Sequence, residues 1–207
     1  MKPDNGVFGD SKFKVSYKPQ YLESSYEGTV REFLLSSANK PFLDSTVKSE
    51  IITPLELDDL MDRSISILSG GEVQRVAIAG CLLRDAEIFL LDEPSAFLDV
   101  EQRLTVAKII RKIVESKDKA AFIIEHDIVM SDMVSDRLII FEGEPGKNGY
   151  SSPPQSMRQG MNKFLRMMNI TLRRDSKTGR PRINKAGSKL DAAQKSLGEY
   201  YYAPIKK

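Results

Sequence analysis

FLLDEPSAFLD, residues 89–99, decides how this chain is laid out. Taken back to Glu87 it reads EIFLLDE, an apolar run of strand length that closes on two adjacent acids, Asp92 and Glu93. Upstream, VQRVAIAGCLLRD sets Val73, Val76, Ala77, Gly80 and Leu83 on one helical face. Downstream, Val106, Ile109, Ile110, Ile113 and Val114 define a second helix, followed by AAFIIE as strand, DIVMSDMVS as helix and RLIIFEG as strand. Strands apolar on both faces, alternating with helices, predict an α/β fold with a mostly parallel sheet covered by helices. Earlier, FKVSY gives a short strand, and VREFLLSS and residues 45–61 read as helical, broken near Pro41 and Pro54. The turn-rich GEPGKNGYSSPP, residues 143–154, sets a boundary, beyond which lie a helix, QSMRQGMNKFLRMMN, and an irregular basic end.

Composition narrows the class. A chain of 207 residues, 41% hydrophobic and 29% charged, can bury one sizeable core and is not a disordered tail. One cysteine excludes an internal disulfide, no apolar run approaches a membrane span, and MKPDNGVFGD lacks a secretory apolar segment, so the expected location is cytoplasmic, with no membrane partner. The net charge of +2 conceals a division: residues 158–207 hold 13 Lys and Arg against 3 Asp and Glu, leaving 18 against 26 before them. Arg173, Arg174, Arg180, Arg182 and Lys185 lie close together ahead of YYY, residues 200–202. That segment is either a solvated surface or a face for nucleic acid, and charge alone does not choose.

The chemistry-bearing residues come in order along the chain. In LSGGE, Ser69, Gly70, Gly71 and Glu72 open a helix, where free backbone N–H groups and the helix dipole suit an anion, although S-x-x-E is equally a capping box. Asp92 and Glu93 end a buried strand at the sheet edge where ligands bind; Asp92 would hold Mg2+ through water, and Glu93 would orient or deprotonate an attacking water. Asp99 with Gln102 makes a helix-starting box, and a further role at a dimer seam is optional. His126, the only histidine, follows AAFIIE directly, and Gln20 follows FKVSYKP with an amide able to touch a metal or water. Cys81 reads as a small buried hydrophobe.

Taken together, SYKPQ, LSGGEVQRVAIAGCL, DEPSAFLDVEQR and EHD resemble the ATP-binding-cassette ATPases. With GMNKFLRMMNITLRRD, TGRPRINK and QKSLGEYYY, the chain looks like the second nucleotide-binding domain of the ABC-E ribosome-recycling ATPase family, also called RNase L inhibitor. The resemblance implies a P-loop-NTPase-like ABC domain over residues 1–142, with its helical signature part over about 21–84, and a basic hinge segment over 143–207. It implies Gln20 as the Q-loop residue and a metal contact, Ser69, Gly70, Gly71 and Glu72 as the signature, Asp92 and Glu93 as the magnesium and water acids, Asp99 as the D-loop residue and His126 as the switch histidine. Glu93 and His126 would be catalytic, and ATP and Mg2+ the cofactors. Implied partners are the first nucleotide-binding domain of the same family, the small ribosomal subunit, and release or initiation factors. A transporter cassette and a non-hydrolysing binding module share the signature, but a transporter gives no reason for RPRINK.

One departure stands out. The phosphate loop G-x-x-x-x-G-K-[ST] occurs nowhere, since residues 6–12 read GVFGDSK. The expectation is an N-terminally truncated domain, inactive alone, with the family's iron–sulfur region lying outside this sequence. Such a sheet should also show water the apolar faces of FIIE and FLLD.

Overall fold

The computed structural model describes residues 7–8, 11–20, 26–38, 44–144, 146–175, 177, 179 and 181–201. Arg180 and Tyr202 of the basic end, the break at Pro41 and much of residues 6–12 lie outside them. The chain forms two compact units, Met1–Val134 and Ser135–Lys207.

In the first unit, β1 (Val7–Phe8) and β2 (Ser11–Lys12) pair antiparallel. The sheet that matters is parallel, in the order β3 (Val15–Lys18), β4 (Ile88–Asp92), β5 (Ala120–Ile124), with Val15 opposite Ile88 and Asp92 opposite Ile124. Its helices are α1 (Val30–Ser37), α2 (Ser45–Val47), α3 (Gly70–Leu83), α4 (Val100–Ser116) and α5 (Ile128–Val134). Period-two alternation turns Ser16, Lys18, Phe89 and Leu91 to one face, all buried, where Val76, Ile78, Leu82, Val106, Ile110 and Ile113 complete the core. The other face carries Tyr17, Phe122 and Ile124, exposed by 44%, 53% and 59%. Of the two expected apolar faces, Phe122 and Ile124 of FIIE are therefore open to water, whereas Ile123 packs against the core and Phe89 and Leu91 of FLLD are covered.

Helix α3 is buried along nearly its whole length, from Gln74 to Leu82, because sheet and α1 flank it on different sides. Gly80 makes the second contact possible: a Cβ there would sit 2.6 Å from Phe33 Cε1. Residues 45–61 do not form one helix. α2 runs into a π-turn, Lys48–Ile52, and after Pro54 a 3-10 turn, Asp58–Leu60, because proline supplies no N–H and Glu56 takes a positive φ of 54°.

The second unit corrects two expectations. RLIIFEG is not a strand of the parallel sheet: it splits into β6 (Arg137–Leu138) and β7 (Phe141–Glu144). β7 pairs antiparallel with β8 (Asn148–Ser151), and β6 with β9 (Gln155–Ser156). The turn formers read as a boundary make the β7–β8 hairpin; Gly143, at φ 145°, brings its backbone so close to Asn148 O that a Cβ would lie 2.1 Å from it. The first compact unit ends at Val134, so this hairpin lies within the second.

The described residues of the basic end likewise form regular elements rather than an irregular segment. After α6 (Met157–Met167), β10 (Leu172–Arg174) and β11 (Pro181–Ile183) form an antiparallel pair, and α7 (Lys189–Ser196) closes the unit. Polar groups hold it together. Asp191 accepts from Thr171 Oγ1 at 2.6 Å and Gly187 N at 2.9 Å; Asn184 Nδ2 donates to Thr171 Oγ1 at 2.9 Å and to Gln194 Oε1 at 2.5 Å. All four side chains are buried, so each needs these partners. Among the described residues no helix is long and apolar enough to cross a membrane.

Candidate nucleotide-site residues at the parallel sheet edge

The parallel register carries the C-terminal ends of β3, β4 and β5 to one edge, and with them Gln20, Asp92, Glu93 and His126. Glu93 is the meeting point. Gln20 Nε2 donates to its Oε2 at 2.9 Å, and His126 Nε2 lies 3.0 Å from its Oε1. A catalytic acid could be aimed in this way by one group from each flanking strand end, with both oxygens held.

The backbone of Glu93 is fixed as firmly. Its N–H donates to Ile124 O at 2.9 Å, and its carbonyl accepts from Gln74 Nε2 at 2.7 Å. These bonds hold a non-glycine residue at φ 44°, a conformation that costs of order 1 kcal/mol and persists only when its surroundings impose it. Gln74 therefore ties α3, which begins at the Ser69–Glu72 motif, directly to the acidic strand end.

Lys18, on β3, is 1% exposed, and its Nζ donates to Asp92 O at 2.7 Å and to Glu93 O at 3.5 Å. Burial pushes its amine down to about 8, opposed by the nearby charges of Asp92 and Glu125. Neither Gln74 nor Lys18 was singled out from sequence. Alternation puts Lys18 on the same face as Ser16, but the burial of that face is visible only in the structure.

Ser69 is the N-cap of α3, and the box with Glu72 is complete: Ser69 N and Oγ donate to Glu72 Oε2 at 2.8 and 2.7 Å, and Ser69 Oγ accepts from Glu72 N at 3.4 Å. The Ser69 hydroxyl, followed by its backbone N–H, holds the Glu72 carboxyl below its ordinary range. Gly70 and Gly71 lie between these caps, and their amides are among those a helix start leaves without intrahelical partners. The glycines also admit the loop after Glu93. A Cβ on Gly71 would stand 3.0 Å from Phe97 O, and one on Gly70 3.4 Å from the Phe97 ring. Asp99 caps α4 by accepting from Gln102 N at 2.9 Å, the helix-starting role that its spacing predicts. Cys81 is buried, and burial pushes its thiol up.

The donor set suits a hard cation. Asp92 and Glu93 offer carboxylates and Gln20 an amide oxygen, and no cluster of three or more His, Cys, Asp or Glu that could hold a metal occurs among the described residues. Carboxylate and amide oxygens are donors of the kind Mg2+ takes, one or two from protein with the rest from water.

The chain is similar to several known proteins. Residues 8–96 match the family described as ABC transporter. The chain is 58% identical over 203 residues to an uncharacterized ABC transporter ATP-binding protein of Methanocaldococcus jannaschii, covering 98% of this chain and 34% of that protein. It is 44% identical to translation initiation factor RLI1 of Saccharomyces cerevisiae, covering 98% and 33%. Among solved structures, archaeal ribosome recycling factor aABCE1, in complex with the archaeal ribosomal stalk protein aP1, superposes with a TM-score of 0.89 at 54% identity, over 98% of this chain and 39% of that one. The chain thus spans about a third of the length of the curated relatives it matches.

Proposed function

The chain belongs to the ABC-E family of ATP-binding-cassette proteins, the RNase L inhibitor family, and from that premise we propose that it takes part in ATP-driven ribosome recycling. In this reading Asp92 and Gln20 hold Mg2+, Glu93 orients and deprotonates the attacking water, and His126 and Gln20 aim Glu93. Bound Mg2+ would supply neutralisation of phosphate charge. Ser69, Gly70, Gly71 and Glu72 present the signature to ATP held by the first nucleotide-binding domain of the family, and Asp99 sits at the seam between the two. The small ribosomal subunit, with release or initiation factors, is the assembly acted on, in the cytoplasm. The observation that carries the reading is the Glu93 carboxylate held between Gln20 and His126.

No Gly-Lys-Ser/Thr occurs in the sequence, so the 207-residue chain by itself is expected to bind Mg-ATP poorly and not to hydrolyse it. Four or five phosphate hydrogen bonds at roughly 1.5–3 kcal/mol each are comparable to the ~8 kcal/mol of a micromolar binder. Calorimetry on the pure chain checks this, and micromolar binding refutes it. The signature role is tested separately by adding the chain to a P-loop-bearing first domain loaded with ATP. Wild type should slow nucleotide release and Ser69→Arg should not; equal release rates would remove the signature from the proposal.

A further inference from the structure

The acids on either side of His126 hold the loop that follows Glu93. Glu125 accepts from Ser95 N at 2.8 Å through Oε1 and from Ser95 Oγ at 2.9 Å through Oε2. Asp127 divides its oxygens: Oδ1 caps α5, accepting from Val129 N at 2.7 Å and Met130 N at 3.0 Å, while Oδ2 accepts from Arg103 Nη1 at 2.7 Å. Arg103 then reaches back, its Nε donating to Leu98 O at 2.9 Å. That carbonyl belongs to the peptide leading into Asp99. One planar guanidinium therefore bonds both the backbone before Asp99 and the carboxylate after His126.

We propose that Arg103 is a positioning residue that couples the placement of Asp99 to that of His126. Leu98 is 3% exposed and Phe97 before it takes a φ of 62°, so the loop is held in a sparsely populated conformation. A displacement of Asp99 moves the Leu98 carbonyl, Arg103 transmits it to Asp127, and the adjoining His126 shifts against Glu93. The pairing is charge-assisted and only partly exposed, with side-chain exposures of 37% and 22%. The inference rests on the reading above only for the roles given to Asp99 and His126.

The test needs no nucleotide, so its failure is distinct from a failure of that reading. His126 is the only histidine, and its imidazole Cε1–H gives one unambiguous carbon–proton NMR cross-peak in the 207-residue chain. Asp99→Ala should displace this peak in an otherwise wild-type background. In an Arg103→Met background the same change should leave it in place. Asp127→Asn, which keeps an oxygen to cap α5 but weakens the bond to Arg103, should also abolish the response and decides the matter if Arg103→Met does not fold. An undiminished response to Asp99→Ala in these backgrounds, or no response in wild type, overturns the coupling.

Discussion

Lys18 offers a direct test of how the sheet edge is built. Its ordinary value is 10.5 and burial lowers it to about 8. Below pH 8 folded and unfolded chains both carry the proton, and the full cost of burying the charge is present. Between about 8 and 10.5 the folded chain gives up the proton while the unfolded chain keeps it, so the unfolded state binds more protons and stability rises with pH. A depression of this size corresponds to about 3 kcal/mol across the window. Lys18→Met, which keeps most of the unbranched side chain without the charge, should lack that rise while sharing all other titrations. Urea unfolding of both proteins from pH 7 to 10.5 measures the difference. For a slope of about 2 kcal/mol per molar, the wild-type midpoint should gain roughly 1.5 M on the variant. Parallel profiles would show that Lys18 keeps its ordinary proton affinity and that the close contact with Asp92 O does not reflect a buried, desolvated amine.

Gly80→Ala should destabilise the first unit by about 1–3 kcal/mol despite the better helix propensity of alanine, because the added methyl meets the Phe33 ring at 2.6 Å; denaturant midpoints decide, and a gain in stability would refute the close approach. Thr171→Val leaves Asp191 and Asn184 without a shared buried partner and should cost the second unit about 1–3 kcal/mol by thermal unfolding. Asp191 itself is held below its ordinary 3.8, first by the Thr171 hydroxyl and then by Gly187 N, so its contribution is complete above that value and fades as pH falls through the lowered one; Asp191→Asn should flatten this acid limb. Arg173 and Arg182 lie directly opposite each other in the β10–β11 pair, and Asp175 pairs with Arg182 at 3.1 Å. In the intact family protein, replacing Arg173, Arg174, Arg180 and Arg182 by alanine should weaken sedimentation with the small ribosomal subunit and flatten its salt dependence, whereas unchanged binding and slope would leave the basic end a solvated surface.

The sequence by itself determined the local units of this protein, because the forces that define them act over a few residues. Ser69–Glu72 and Asp99–Gln102 are capping signals of fixed spacing, and each starts a helix as the spacing predicts. Apolar runs of strand length, alternating with helical ones, fixed the parallel sheet and hence the edge that collects Gln20, Glu93 and His126. Tertiary structure alone decided what each side chain meets there. Gln20 lies 73 positions from Glu93, and nothing in either residue's neighbourhood says that the amide will take one carboxylate oxygen and the histidine the other. The same holds for Lys18, whose charge at a strand end reads as surface until the fold covers it, and for Gln74, which faces a carbonyl. RLIIFEG carries the starkest lesson: its apolar content suits the parallel sheet, yet a turn at Gly143–Gly149 places an antiparallel partner within a few residues. Closing that short loop costs far less chain entropy than a long crossover, so local pairing prevails over the pattern.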